Sequence, residues 1–400
     1  IVAEREYTGL EQQLEIIESI AGPYRWGNYT ILSMPAGFPF GGMEGQNTFN
    51  SGSLLPLPMY KLPMPNAIKP TDDEESQKKA MGLAVNVALH EAAHSWSGNL
   101  VTNLDWQEFF LNEGLTIFIE RRSLQKMYGK EYESLHRMIG WEDLLESINM
   151  YKSSDMMQAT KLVTDLRGDI DPDDYFSSVP YEKGFSFFIY LEEILGGQEV
   201  FEAFLKVYFN HYALKTLTHH DFKTFFLNYA KEKNLDQRVN EIDWDTWFYT
   251  EGLPPHKPAV NMKLSDEIYA LADELATGKA QNLDLLSKWS DTQHNVFLDK
   301  IAALFDAQFD ATEDVTKRQE IQQFYAKNVI APIVAAYDYI STANSELISR
   351  VLQLYIRVAT QRSETIVKYN NQDITMERCL SWFLESVGRM KFVRPTFRFM

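Results

Sequence analysis

The sequence has a single cysteine, Cys379, among its 400 residues. An intrachain disulfide and a zinc site made of cysteines are therefore excluded. Long apolar runs are also missing, since none approaches the about 18 residues that a membrane-spanning helix needs. Basic residues are few: 38 Lys and Arg stand against 56 Asp and Glu, which gives a net charge of −18. Such a charge repels the phosphates of nucleic acid, so we expect no nucleic-acid partner.

The single cysteine and the small number of basic residues also predict where the protein is located and which ligands it binds. A lone cysteine fits a reducing compartment, so we expect a cytoplasmic protein, although an exported or organellar location stays open. The chain begins at Ile1 without a methionine or a signal-peptide pattern, which we interpret as a processed or truncated chain. The excess of acids favours cationic ligands, such as the free ammonium group of a peptide.

A metal-binding pattern is present at residues 90–94. His90 and His94 are one helical turn apart, so both imidazoles leave the same face of a helix. This spacing suits two nitrogen ligands of one zinc ion, with Glu91 beside them as a base. Eighteen residues separate His94 from Glu113, enough for a turn and a return helix that brings a carboxylate as the third ligand. Three protein ligands leave one position open for water, which is typical of a catalytic site.

The alternative is an accidental HExxH motif whose histidines bind no metal. The preceding residues argue against it, because Ala80–Leu89 is apolar on almost every side and predicts a buried helix. Two imidazoles and a carboxylate are costly in a buried helix unless a metal pairs with them. We therefore expect one zinc ion per chain.

The residues around this pattern resemble the zinc aminopeptidases of the M1 family, and most of all their leukotriene A4 hydrolase branch. The resemblance covers the chain from about Glu6 to the C-terminus. It rests on Gly41-Gly42-Met43-Glu44, on the run from His90 to Asn99 with Trp106 and Asn112-Glu113-Gly114, and on Val179-Pro180-Tyr181-Glu182-Lys183-Gly184. It implies a thermolysin-like α+β zinc peptidase domain followed by an all-α domain.

The resemblance gives the segment before the zinc motif a role in binding substrate. It implies that Gly41, Gly42 and Met43 line the substrate cleft and that Glu44 binds the α-amino group of the peptide. By itself Glu44 is a solvated acid, and the paired glycines are backbone that a ligand can approach closely. Gly45 stands where the family usually has Asn, which affects local rigidity rather than the carboxylate.

Tyr181 lies in the first turn of a helix that we expect to start near Val179 and to end at Gly196-Gly197. By itself it is a core aromatic; the resemblance implies that its phenol hydrogen-bonds the developing oxyanion. Asp173 matches the acid that the leukotriene A4 hydrolase branch uses in epoxide opening. Phe176 departs from that branch, which has Tyr at this position.

Glu120 follows Glu113 by seven residues, so both side chains leave the same face of the return helix. Its alternative is a salt bridge with Arg121 or Arg122, although those residues leave other faces. The resemblance makes Glu120 an acid that orients a metal ligand or binds the amine.

The last residues gather cations in an otherwise acidic chain. Two interpretations of this group stay open. It is either a solvated basic tail near a helix C-terminus or, by the resemblance, a site where Arg389 and Lys391 hold the carboxylate of the substrate.

The pattern of apolar residues predicts a fold that is mainly α with a small β part. We expect a helix over residues 10–20, a short buried strand over 29–34, and helix after helix from Gln198 to about Tyr249. Residues 264–387 read as stacked helical pairs, as in a solenoid. The predicted divisions are a catalytic domain over 1–252, a linker over 253–262 and an α-helical domain over 263–400.

Residues 51–79 contain five prolines and look like an insertion relative to the family. Such a segment is extended and serves either as a lid over the site or as a surface loop. We favour the surface loop, because long loops are only sometimes functional.

Together these features predict a zinc-dependent aminopeptidase that uses metal-activated water on peptides with a free N-terminus. The alternatives are an epoxide hydrolase of the leukotriene A4 type on the same zinc, and a catalytically weakened helical scaffold. The family places a β-sheet domain before the segment that matches Ile1 onward, and the about 40 residues before Glu44 are too few for it. We therefore expect a missing N-terminal domain, or self-association through the surface that such a domain covers.

Overall fold

A computed structural model describes residues 9–34, 38–45, 48–51, 82–280, 282–340, 344–359, 366–369, 372–388 and 390–399. Helices dominate this part of the chain, and its strands are few and short. The prediction of a mainly α protein with a small β part is therefore confirmed. Beyond Ser51, the segment predicted to be an insertion lies outside the described residues, so the choice between lid and loop stays a prediction.

The first part of the chain carries the elements around the zinc motif. Its strands are β1 (Thr30–Ser33), β2 (Gly42–Glu44), β3 (Thr48–Ser51), β4 (Val101–Asn103) and β5 (Lys215–Leu217). Its helices are α1 (Leu10–Ala21), α2 (Gly82–Ala93), α3 (Phe109–Tyr128), α4 (Lys130–Ser153), α5 (Val179–Leu195), α6 (Gln198–His211), α7 (His219–Glu232), α8 (Asp236–Val239) and α9 (Trp244–Tyr249).

The first three strands form one small sheet in the order β1-β3-β2. Strand β1 runs parallel to β3, and β2 runs antiparallel to β3 with Gly42 opposite Ser51. The residues that end at Glu44 thus form an edge strand. The expectation of a buried β1 was wrong, because Leu32 is 52% exposed. Apolar character alone does not show which strand another layer covers.

Strand β5 interrupts the run of helices that we expected from Gln198 to Tyr249. It pairs in parallel with β4, with Val101 opposite Lys215. Each strand is three residues long, too short for its alternation of side chains to stand out from a helical pattern.

Helices α3 and α5 pack unusually closely in the centre of the first part. A Cβ atom added to Gly114 would lie 2.7 Å from Cα of Gly184, so the two backbones touch. Only glycine allows such an approach. This contact sets the separation between the helix that carries Glu113 and the helix that carries Tyr181.

The second part of the chain is almost entirely helical. It contains α10 (Asp266–Ala276), α11 (Asp291–Asp310), α12 (Val315–Tyr325), α13 (Ala331–Ala336), α14 (Ser345–Val358), β6 (Ile366–Tyr369), β7 (Gln372–Thr375), α15 (Met376–Ser386) and α16 (Met390–Phe399). The antiparallel hairpin of β6 and β7 was not expected. Helix α16 carries Lys391 of the basic group, and the choice between the two interpretations of that group stays a prediction.

Two apolar cores accompany these two parts. The first is rich in aromatic rings, with Phe187 and Phe204 at its centre, and includes residues from Ile17 to Phe248. The second runs from Ile268 to Phe392 and also takes in Leu135 and Met138 of α4. Helix α4 therefore contributes Leu135 and Met138 to the second core. The domain boundaries given above stay a prediction.

The segment 250–261, which includes all but the last residue of the expected linker (253–262), contains no helix or strand. Its start is held by the buried ammonium group of Lys183, which donates to the carbonyls of Thr160, Thr250 and Gly252 at 2.7–2.9 Å. Three acceptors satisfy all three N–H bonds of a buried lysine. The lysine thus attaches the linker to α5.

Candidate metal centre

Helices α2 and α3 bring three donor atoms together. Nε2 of His90 and Nε2 of His94 lie 3.1 Å apart, and each lies 3.3 Å from Oε2 of Glu113. Ligand atoms on a tetrahedral zinc, at about 2.0–2.1 Å from the ion, are separated by about 3.3 Å. The triangle of donor atoms therefore matches one face of a zinc tetrahedron.

The other nitrogen of each imidazole is held by an acceptor. Nδ1 of His94 donates to the carbonyl of Ser97 at 2.8 Å, and Nδ1 of His90 donates to Oε2 of Glu120 at 3.0 Å. A proton on each Nδ1 leaves the Nε2 lone pair directed at the shared point. Both rings are thus in the tautomer that a metal requires.

Glu113 supplies the strongest evidence that a cation belongs here. Its Oε2 atom is buried and accepts no hydrogen bond among the described residues. Burial raises the pKa of this carboxyl, but the adjacent imidazoles, His94 first, lower that pKa to about 2. A buried carboxylate that stays charged needs a cation. His90, His94 and Glu113 therefore fit zinc.

Glu91 lies beside the triangle but takes no part in it. Its side chain is buried, and its Oε2 atom has no hydrogen-bond partner among the described residues. Burial raises its pKa to about 7, while His90 and His94 act in the opposite direction. A carboxyl group whose pKa lies near neutrality can both take and return a proton.

The backbone of β2 presses against Glu91. A Cβ atom added to Gly42 would lie 2.1 Å from Oε1 of Glu91 and 2.7 Å from its Cγ atom. No side chain fits between the strand and the carboxylate, which explains why glycine stands at this position. The neighbouring Gly41 is half-buried and Met43 is exposed, so the strand also offers surface to the cleft.

Glu44 ends this strand close to the metal ligands. Its Oε1 atom lies 3.7 Å from Nδ1 of His94 and accepts a long hydrogen bond of 3.5 Å from Asn112. The next carbonyl, that of Gly45, accepts from Asn99 at 2.9 Å. The strand is therefore attached to the loop after α2, and the Glu44 carboxylate lies beside His94.

Tyr181 begins α5 on the other side of the triangle. Its ring stacks on His90 with centroids 6.3 Å apart, and it contacts Phe109 and Phe176 edge-on. Burial, followed by the charge of Glu113, raises the pKa of this phenol well above 10. The hydroxyl is therefore neutral and able to donate a hydrogen bond.

Glu120 lies next to His90, as its spacing from Glu113 indicated. The alternative was a salt bridge of Glu120 with Arg121 or Arg122, but these arginines pair with Glu182 and Glu192. The carboxylate of Glu120 is thus paired with His90, and whether it orients a metal ligand or binds the amine stays a prediction.

Two further candidate residues, Asp173 and Lys391, have surroundings that differ from those of the metal centre. Asp173 is exposed in the short 3-10 helix Pro172–Tyr175 and is not among the described residues that group around the metal position. Lys391, on α16, pairs with Asp143 at 3.9 Å and Glu346 at 3.3 Å. Arg389 lies outside the described residues. The roles of Asp173, Arg389 and Lys391 stay predictions.

The sequence interpretation missed two groups that hold His94. They are the carbonyl of Ser97 and the hydroxyl of Thr116, which lies 3.1 Å from Nδ1. Thr116 stands three residues after Glu113, on the same face of α3, so helical spacing pointed to it. The carbonyl of Ser97 left no signal in the sequence, because any residue supplies one.

Comparison with known proteins places this geometry in a family. The model of the peptidase family M1 domain matches residues 8–247. Leucine aminopeptidase 2 of Aspergillus terreus is 35% identical over 394 residues, which cover 97% of this chain and 54% of that protein. The same protein of Sclerotinia sclerotiorum is 36% identical over 390 residues, with 97% and 55% covered. The chain thus spans about half the length of these relatives.

Solved structures agree with the sequence relatives. Yeast LTA4 hydrolase in complex with bestatin has a TM-score of 0.78 and 29% identity, covering 99% of this chain and 58% of that chain. Native leukotriene A4 hydrolase from Saccharomyces cerevisiae has a TM-score of 0.75 and 30% identity, with 99% and 58% covered. With most of its length matched and its donor atoms suited to zinc, the chain belongs to peptidase family M1.

Proposed function

We propose that this chain carries the catalytic centre of a zinc aminopeptidase that hydrolyses the N-terminal bond of peptides. One observation carries the proposal: a buried carboxylate oxygen of Glu91, with no hydrogen-bond partner in the described part of the chain, lies beside three donor atoms that fit zinc. The family membership and the names of the relatives, leucine aminopeptidase 2, support the same activity.

The side chains divide the chemistry among them. Zinc held by His90, His94 and Glu113 supplies Lewis acidity to the scissile carbonyl and to a water molecule. Glu91 takes the proton of that water and returns it to the leaving amine. Tyr181 donates its hydroxyl to the oxygen that becomes negative in the transition state.

Glu44 makes the enzyme an exopeptidase in this proposal. Its carboxylate faces the cleft at the end of β2, where it anchors the ammonium group of the first residue. Peptides whose N-terminus is acetylated should then be much poorer substrates than free peptides. Glu44→Ala should narrow that difference, since it damages only the free-amine substrate. Equal cleavage of free and acetylated peptides by the wild type would refute the assignment.

Replacing Glu91 tests the mechanism itself. Glu91→Gln should keep about one zinc per chain and lower kcat on a leucyl anilide by about 10²–10⁴-fold. Glu133→Gln, which changes another buried glutamate outside the centre, is the matched control and should keep its activity. A wild-type rate of hydrolysis in Glu91→Gln would refute the mechanism. If the wild-type protein binds zinc but hydrolyses no substrate, it is the catalytically weakened scaffold.

An epoxide hydrolase on the same centre is the second candidate. The structural neighbours named LTA4 hydrolase favour it. The exposed position of Asp173 and the phenylalanine at 176 weaken it, because the resemblance assigns epoxide opening to the acid at 173 and the branch has a tyrosine at 176.

The proposed location is the cytoplasm, supported by the single cysteine. None of the described helices is both long and apolar enough to cross a membrane. Imaging of the tagged full-length protein tests the location, and a signal confined to an organelle would contradict it.

A further inference from the structure

A buried ion pair joins α3 and α5 beneath the metal centre. Arg121 donates two parallel hydrogen bonds to Glu182, at 2.7 and 2.8 Å, and both side chains are buried. The guanidinium group also lies over the ring of Phe185, with its Cζ atom 4.3 Å from the centroid. A bidentate pair between planar groups allows little variation in angle.

Helix α4 closes the space around this pair. A Cβ atom added to Gly140 would lie 2.2 Å from Nη2 of Arg121 and 2.2 Å from Oε2 of Glu182. The glycine therefore lets the two side chains meet against the backbone of α4.

Each partner is the sequence neighbour of a residue at the metal centre. Arg121 follows Glu120, which holds His90, and Glu182 follows Tyr181, whose ring stacks on His90. Neither Arg121 nor Glu182 is among the metal-ligating groups. We therefore expect any effect of Arg121 and Glu182 on the reaction to act through the positions of Glu120 and Tyr181.

The close contact of Gly114 with Gly184 sets how near the two helices lie, but it has no side chain to resist rotation. A rotation of α5 by about 20° would move the Tyr181 hydroxyl, roughly 9 Å from the helix axis, by on the order of 3 Å. The bidentate pair opposes such a rotation because it links the two helices through two parallel hydrogen bonds, one residue along the chain from Tyr181.

We propose that Arg121 and Glu182 are positioning residues that hold the phenol of Tyr181 at the metal centre by fixing the rotation of α5 against α3. The inference rests on the proposed role of Tyr181 in peptide hydrolysis. It assigns the reaction two residues that touch neither the metal position nor the substrate.

The chain offers a matched control on the same two helices. Arg122 of α3 pairs with Glu192 of α5, and Arg122 is as buried as Arg121. Glu192 lies 11 residues, or about three turns, beyond Tyr181. If ion pairs matter here only for stability, the two pairs should behave alike.

The experiment compares Arg121→Lys with Arg122→Lys in the zinc-loaded protein. Arg121→Lys should lower kcat on a leucyl anilide by about 10–100-fold, with KM and zinc content nearly unchanged. Arg122→Lys should lower Tm to a similar extent and leave kcat within about two-fold. Gly140→Ala, which displaces the pair without altering its charges, should reproduce the kinetic effect of Arg121→Lys.

A double-mutant cycle with Tyr181→Phe separates positioning from general damage. The readout is affinity for an aminoalkyl phosphonate, a tetrahedral transition-state mimic, which does not require turnover. Each single variant should weaken binding by about 10-fold or more, and the double variant should be no weaker than Tyr181→Phe alone. Additive losses, or equal losses from Arg122→Lys, would overturn the inference. A wild type that binds the phosphonate but hydrolyses no peptide would refute the proposed function instead.

Discussion

Three buried glutamates show how the environment of one side chain decides its chemistry. Burial acts in the same direction on all of them, because it opposes the charged form. At Glu113 the imidazoles outweigh burial and lower the pKa to about 2, whereas at Glu91 burial wins and the pKa rises to about 7. Glu182 instead lies in a bidentate pair with Arg121. The proposed ligand, base and positioning residue thus share one residue type.

His136 gives a test of the same principle in the stability of the fold. Burial lowers its pKa to about 4, with Arg121 acting in the same direction and Glu120 against it. The unfolded chain binds the proton near pH 6.5, so between pH 6.5 and 4 it holds more protons than the folded chain. Stability from this residue is present above pH 6.5 and is lost as the pH falls toward 4.

The free energy of unfolding should therefore fall between pH 7.5 and pH 5 by about 2 kcal/mol more in the wild type than in His136→Gln. Urea titrations at both pH values measure this difference. Because other groups titrate in both proteins alike, only the difference between the variants counts. An identical pH dependence would mean that folding does not lower the pKa of His136.

Phe176 carries the prediction about epoxide hydrolysis. Its ring contacts Tyr181, Phe109 and Phe40 with centroids about 6 Å apart and is 44% exposed. We expect peptide hydrolysis to dominate in the wild type, with only weak conversion of leukotriene A4. Phe176→Tyr should raise that conversion about five-fold, the value of one hydrogen bond, and leave peptide kinetics nearly unchanged.

Product analysis with leukotriene A4 measures the effect. Phe40→Tyr, which adds a hydroxyl to a neighbouring exposed ring, should bring no such gain. Efficient formation of the diol by the wild type would show that a hydroxyl at 176 is unnecessary.

At the scale of secondary-structure elements, the centre depends on how an edge strand meets a helix. The backbone of β2 at Gly42 touches the Glu91 side chain of α2 and so limits where its carboxylate can lie. Gly42→Ala should displace that carboxylate and lower kcat by about 10–100-fold, because small misplacements of a catalytic group are expensive. Zinc content should not change, since the three heavy atoms nearest the added methyl group all belong to Glu91, which is not one of the proposed ligands.

Kinetics of Gly42→Ala in the wild-type and Glu91→Gln backgrounds check this explanation. The glycine replacement should cost little once the base has been removed. A full additional loss in that background would place the damage elsewhere on the strand.

At the scale of the whole molecule, apolar side chains around the cleft are unusually exposed. Trp106 is 63% exposed, Leu32 is 52%, and Phe40, Met43 and Phe176 are all above 40%. Apolar surface of this kind marks places that another domain or chain covers. It supports the proposal that an N-terminal β-sheet domain, or a second copy of this chain, completes the cleft.

We therefore expect this chain alone to bind zinc but to show weak aminopeptidase activity. Adding the N-terminal domain of a relative in trans should raise kcat/KM, because a second wall restores substrate positioning worth several kcal/mol. Zinc analysis and steady-state kinetics on a preparation shown to be monomeric measure both. Full activity of the monomeric chain by itself would contradict the proposal.

What the sequence by itself determined is local. The spacing of His90 and His94, and of Glu113 and Glu120, matches the period of a helix. The sequence alone therefore predicts that the two side chains of each pair leave the same face of their helix. Motif resemblance then supplied the pairing of distant segments, including the placement of Tyr181 beside the zinc ligands.

Only the tertiary structure decided the contacts between segments far apart in the chain. The approach of Gly42 to Glu91, the pairing of Arg121 with Glu182 against Gly140, and the strand β5 at β4 join residues between 19 and 114 positions apart. No periodicity encodes such contacts, because they arise from how whole helices and strands pack. The pKa values of Glu91 and His136 belong to the same class, since burial by distant elements sets them.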